Sequence, residues 1–185
     1  MSKFDWSEGD LIIQQPTKSA REHKRDEVVK ARAAACARVC VALLAIPDND
    51  NDIDDSVLRK TLMSLTRLAT LPKWRERVSL RSAGALDVDW DDARAAGDPL
   101  HVEHVVPIRV LVERMLVCRD EPSEVFASSL LAICRKSEHE RIGPLLKAHR
   151  PVYKKMIDPS TPLAALSDLG RQRYERASID LHDVP

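Results

Sequence analysis

The sequence LHVEHVVP, residues Leu100–Pro107, constrains the fold and function of this chain more than any other segment. Its side chains alternate as in a β-strand, so that His101 and Glu103 share one face and His104 points to the other. Pro107 has no backbone N–H to donate and should end the strand. The segment therefore predicts a short strand that carries two imidazoles and a carboxylate to the point where it stops.

A helix is predicted directly after this strand. Apolar residues between Ile108 and Cys118 recur at positions 108, 111, 112 and 115, which is helical spacing. Pro107 suits the first turn of such a helix, where its missing N–H costs nothing. The predicted unit is a strand, a sharp stop and a helix.

The rest of the chain predicts a mostly α fold of five to seven helices, with a small two- or three-stranded β element around residues 100–106. The 185 residues suit one helical domain at 17–185 after an N-terminal arm at 1–16. Only five glycines occur, and sandwiches and barrels need many tight turns. Aromatic residues make up 4%, so the core should be aliphatic. We expect six residues to be buried in it: Leu43, Leu62, Leu65, Leu111, Met115 and Ile133.

A long first helix is predicted from an N-cap at Thr17 to about Ala45. Its apolar positions step by three and four and comprise Val28, Ala31, Ala35, Val39, Ala42 and Ile46. The second half, from Ala33 to Ile46, is apolar nearly throughout, which predicts the central buried helix of the fold. A later helix is predicted from Pro122, with Leu130 and Ile133 among its inward residues.

A short basic helix is predicted between Pro72 and Gly84. It carries Arg75, Arg77 and Arg81 just before the strand, and these three guanidinium groups are candidate contacts for nucleic-acid phosphates. The alternative is that they form an ordinary solvated face. Lys and Arg together number 29, as do Asp and Glu, so the net charge does not itself indicate nucleic acid.

The five residues Glu103–Pro107, EHVVP, resemble the first motif of HNH-type endonucleases. In that family an acidic residue, a His, two aliphatic residues and a Pro end a strand. The resemblance implies that Glu103 binds a divalent metal (Mg, Mn or Zn) and that His104 is the general base that activates water against a phosphodiester. His101 could act as a further ligand or orient the site.

The family usually continues with a Gly-rich or Asn-containing loop, then an Asn, and then a second His or Asn in the final helix. Here the only asparagines are Asn49 and Asn51, which lie upstream, and the next histidine is His139, 35 residues after His104. The second metal ligand is therefore unassigned. The alternative for this segment is a buried strand whose histidines bond internally and whose Glu103 pairs with an arginine.

Two functions follow from these observations. The first is a metal-dependent or degenerate HNH-like nuclease, which would suit a phage, mobile-element or defence setting. The second is a non-enzymatic helical interaction or regulatory protein that binds a protein partner, its own copy or nucleic acid. An uncovered apolar stripe on the first helix would favour the second function. No apolar leader follows Met1, and the longest apolar run, Val39–Ile46, is too short to cross a membrane, so we expect a cytoplasmic protein.

Overall fold

The computed structural model describes residues 20–46, 54–71, 78, 80–142 and 150–184. Within these ranges the α-helices are α1 (Ala20–Leu44), α2 (Asp55–Thr70), α3 (Trp90–Ala95), α4 (Ile108–Glu113), α5 (Pro122–Ala127), α6 (Lys136–Ile142), α7 (Arg150–Met156) and α8 (Leu166–Arg176). The strands are β1 (Leu80–Ser82), β2 (Leu100–His104), β3 (Leu131–Arg135) and β4 (Leu181–Asp183). The prediction of a mostly α fold with a small β element is confirmed. The described residues hold eight helices rather than five to seven, because several are only six or seven residues long and give weak periodic signals.

The four strands form one sheet in the order β2-β3-β1-β4. β2 pairs antiparallel with β3, β1 lies parallel to β3, and β4 lies antiparallel to β1. The strand predicted at 100–106 ends two residues early, at His104, although the Val105 N–H still bonds to the Leu130 carbonyl at 2.9 Å. The larger helical core packs α1, α2, α4, α5, α7 and α8 together.

The helix predicted to run from Pro122 to Ile133 is wrong beyond Ala127. The Ser128 hydroxyl donates to the Val125 carbonyl at 2.9 Å where α5 ends, and β3 begins three residues later. A short apolar run such as Leu130–Cys134 fits a buried helix and a buried strand equally well by periodicity. In the structure this segment pairs with both β1 and β2, so it is a strand. Helix α6 begins directly after it.

The basic helix predicted at 72–84 is wrong at its end, because Arg81 lies in β1. Its guanidinium donates to the carbonyls of Ala85 and Leu86 at 3.2 Å each and holds the turn after the strand. Arg75 and Arg77 lie outside the described residues, as do the arm at 1–16 and the proposed N-cap Thr17.

Helix α1 is not the buried centre of the fold. It packs on α2 and α5 through Cys36, Ala37 and Cys40, so its buried face lies about a third of a turn from the predicted stripe. That stripe is exposed: Val28, Val39 and Ile46 are 59%, 47% and 37% accessible.

The six residues predicted to form the core are all buried or half-buried. Leu62, Leu111, Met115 and Ile133 are confirmed as buried, while Leu43 and Leu65 are half-buried against the core.

Candidate active site

A cleft of about 340 Å³ opens where β2 ends. Helices α2, α4, α6 and α8 each contribute a polar side chain to it beside the residues of β2. The ionisable residues of its lining are His101, Glu103, His104, Arg67, Arg109, His139 and Arg173. All three residues predicted from the strand motif therefore border one cavity, together with four that were not predicted.

Glu103 and His139 are in direct contact. The Glu103 Oε2 lies 2.7 Å from the His139 Nδ1, although the two residues are 36 positions apart. The sheet explains this contact, because β2 pairs with β3 and His139 is the fourth residue of the helix that follows β3. The glutamate side chain is 15% accessible and the imidazole 48%, so the pair sits at the mouth of the cleft.

His101 completes this edge of the site. It lies two residues before Glu103 on the same face of β2, as the alternation predicted, and its ring stacks on that of His139. The ring centroids are 5.5 Å apart and the planes differ by 8°. The stack orients the His139 ring, whose Nδ1 points at the carboxylate.

Arg173 of α8 holds the other oxygen of the carboxylate. Its Nη2 donates to Glu103 Oε1 at 3.0 Å and to the His104 carbonyl at 3.1 Å, and its side chain is 4% accessible. A Cβ at Gly170, one turn earlier in α8, would lie 2.8 Å from the Val105 carbonyl, so glycine permits this close approach. Arg173 is therefore not a surface cation of α8 but the buried partner of Glu103.

The His104 ring is buried between β2 and α2. Its Nε2 lies 2.6 Å from the hydroxyl of Thr70, the last residue of α2. Burial lowers the pKa of His104 to about 4, and the positive charges of Arg67 and Arg173 act in the same direction. The imidazole is therefore neutral at pH 7, as a general base must be, although the lowered pKa also makes it a weaker proton acceptor than a free imidazole.

Two exposed arginines flank the cleft. Arg67 lies one turn before Thr70 in α2, and Arg109 is the second residue of α4. Both can turn toward an anion without leaving the protein surface. Arg81 does not line this cleft.

Sequence reasoning missed His139, Arg67, Arg109 and Arg173. His139 had a usable signal, because the apolar run Leu130–Cys134, taken as a strand, places His139 in the first turns of the next helix. No pattern in the sequence indicated the three arginines, because only the packing of α2, α4 and α8 brings them to the cleft.

The donor set can be compared with what a divalent cation needs. Adjacent ligands of an octahedral Mg²⁺ at about 2.1 Å lie roughly 3.0 Å apart. Glu103 Oε2 and His139 Nδ1 are 2.7 Å apart and hydrogen-bonded to each other, so both groups would have to turn away from this bond to share a cation. No group of three His, Cys, Asp or Glu side chains suited to a metal occurs among the described residues. Two protein ligands can nevertheless hold a divalent cation when substrate phosphate and water supply the others, and the imidazole of this pair suits Zn²⁺ better than Mg²⁺.

No helix in the described part of the chain is long and apolar enough to span a bilayer. Comparison with protein-family models, with curated proteins and with solved structures gave no match to this chain.

Proposed function

We propose that this chain is a metal-dependent, HNH-like nuclease that hydrolyses phosphodiesters at the cleft beside β2. The observation that carries the proposal is the contact between Glu103 and His139 next to a buried, neutral His104. The resemblance at Glu103–Pro107 implies a second His or Asn in a final helix. His139, in the helix after the partner strand, is a histidine that contacts Glu103, and this contact supports the proposal.

In this mechanism His104 accepts a proton from the water that attacks phosphorus. Arg67 and Arg109, which both line the cleft, would contact the phosphate and position it for attack. Glu103 and His139 would hold a divalent cation, which when bound would supply stabilisation of the negative charge on the phosphate and on the leaving oxygen. Arg173 fixes the carboxylate, and His101 orients His139 through the ring stack rather than binding the metal.

A purely structural site is the competing explanation, and part of it fits. Glu103 pairs with a buried arginine and His104 bonds internally, as a structural strand would require. That explanation also covers the Glu103–His139 hydrogen bond, but it gives no role to the two exposed arginines at the cleft. A nuclease uses all of these groups, and for that reason we favour it.

The wild-type chain should cleave plasmid, single-stranded DNA or RNA in at least one of Mg²⁺, Mn²⁺ and Zn²⁺, and chelation should stop the reaction. His139→Ala should lower the cleavage rate about 10–100-fold, since it removes a metal ligand. His182→Ala is the matched control, because His182 is exposed on β4 and away from the cleft. Absence of cleavage in every metal, or equal rates for both variants, would refute the proposed site.

We propose self-association through α1 as a second candidate function, because an apolar stripe is exposed there. Val28, Val39 and Ile46 alternate with the exposed small residues Ala31, Ala35 and Ala42. The steps of three, four, four and three from Val28 to Ala42 keep these residues on one face of the helix, and Ile46 follows two residues after α1 ends. A second copy would present the same stripe, and the alanines would let the two helices approach closely.

Val39→Glu should keep the chain monomeric, whereas the wild type should approach twice the monomer mass as its concentration rises in sedimentation equilibrium. Val117→Glu is the control, since Val117 is 56% exposed but lies outside α1. A wild type that stays monomeric at every concentration would exclude this second function, and so would a dimer that Val39→Glu leaves intact.

A further inference from the structure

We propose that Thr70 fixes His104 in the tautomer with hydrogen on Nε2, so that Nδ1 is the nitrogen that accepts the proton. Thr70 is thus a positioning residue, contributed by a helix that precedes the strand motif by 30 residues. The tautomer is a property of the fold. Its meaning for proton transfer rests on the nuclease function proposed above.

The two partners of the Thr70 hydroxyl determine which group donates in its hydrogen bond with His104. Its Oγ1 lies 2.7 Å from the Thr66 carbonyl oxygen and 2.6 Å from the His104 Nε2. A hydroxyl has one hydrogen to donate and can accept elsewhere. The carbonyl can only accept, so a hydroxyl bonded to both partners donates to Thr66 and accepts from His104. This arrangement requires a hydrogen on Nε2 and leaves none on the Nδ1 of the neutral ring.

Nδ1 has no hydrogen-bond partner among the described residues, and His104 borders the cleft. A water that reaches Nδ1 would therefore meet a lone pair rather than an N–H.

Three substitutions separate this role from ordinary helix stability. Thr70→Val keeps the shape of the side chain but removes the hydroxyl, and Thr70→Ser restores it. Thr66→Val is the matched control, because the Thr66 hydroxyl donates to the Leu62 carbonyl one turn earlier, just as the Thr70 hydroxyl donates to Thr66. All three changes lie in α2, so any general loosening of the helix should affect the control as well.

Nitrogen NMR of ¹⁵N-histidine-labelled protein distinguishes the two tautomers directly, and the His104 signal is assigned by its loss in His104→Ala. We expect the Nε2–H form in the wild type, Thr70→Ser and Thr66→Val, and a mixture or the Nδ1–H form in Thr70→Val. If the wild type cleaves, Thr70→Val should lower kcat about 10–100-fold with little change in KM. Thr70→Ser and Thr66→Val should stay close to the wild-type rate.

An Nδ1–H tautomer in the wild type would overturn the inference, as would a tautomer that Thr70→Val leaves unchanged. A kcat in Thr70→Val equal to that of the wild type would remove the link to proton transfer. A wild type that cleaves nothing, yet shows an Nε2–H form that depends on Thr70, would refute the nuclease function and leave the tautomer assignment standing. The two failures are therefore distinguishable.

Discussion

His104→Ala is expected to lower phosphodiester cleavage about 10²–10⁴-fold, because it removes the group that accepts the proton of the attacking water. The same change should also cost about 1–3 kcal/mol of stability, since the ring is 7% accessible and its loss leaves the Thr70 hydroxyl without this partner. Loss of stability alone therefore does not separate a catalytic from a structural histidine at this position.

Chemical rescue can distinguish a catalytic from a structural role of His104. His104→Ala leaves a space the size of the lost ring beside the cleft, and imidazole added to the buffer can enter it and accept the proton. Cleavage by the folded variant should rise with imidazole concentration, while His139→Ala should not respond in the same way. The measurement is the initial rate at a temperature where circular dichroism shows both variants folded. A folded His104→Ala that cleaves at the wild-type rate would refute its role as the base.

The fold class could be predicted because it depends on local signals. Pro107 ends a strand and opens a helix, and apolar spacing from Ile108 onward predicts the buried residues Leu111 and Met115 correctly. The same rules failed for α1, where two faces are apolar. One carries Cys36 and Cys40, and the other carries the exposed valine stripe. The periodicity of a sequence shows which faces of a helix are apolar. Which of the two apolar faces of α1 is buried depends on where α2 and α5 pack against it.

The candidate site could be predicted only along the strand. His101, Glu103 and His104 lie within four positions of one strand, so the sequence alone places them together. His139 and Arg173 contact Glu103 from 36 and 70 positions away. Those contacts depend on the pairing of β2 with β3 and on the close approach of α8 at Gly170. Neither leaves a local pattern in the sequence.

Arg173→Met is expected to destabilise the protein by about 3–5 kcal/mol, because it leaves Glu103 as a largely buried charge without its cation. The Arg173 side chain is 4% accessible and that of Glu103 is 15%. Arg171→Met is the matched control on the same helix. Arg171 pairs with Asp183 at 3.0 Å, but the two side chains are 30% and 80% accessible, so its loss should cost about 1 kcal/mol or less.

Urea denaturation of Arg173→Met, Glu103→Gln and the double variant tests the pairing as a cycle. The double variant should be more stable than Arg173→Met, since the neutral amide removes the unpaired charge. Equal losses for Arg173→Met and Arg171→Met would show that the buried pair contributes no more than a surface pair.

Cleavage by the double variant then separates the two tasks of Glu103. If the carboxylate only supports the fold, the amide and the thioether of the double variant should replace the ion pair adequately, and stability and cleavage would recover together. A carboxylate that holds a cation would not be replaced, because a neutral amide is a much weaker ligand for a hard divalent ion. We expect the double variant to regain stability and to remain inactive. That result would assign Arg173 to holding the carboxylate in place and Glu103 to the reaction itself.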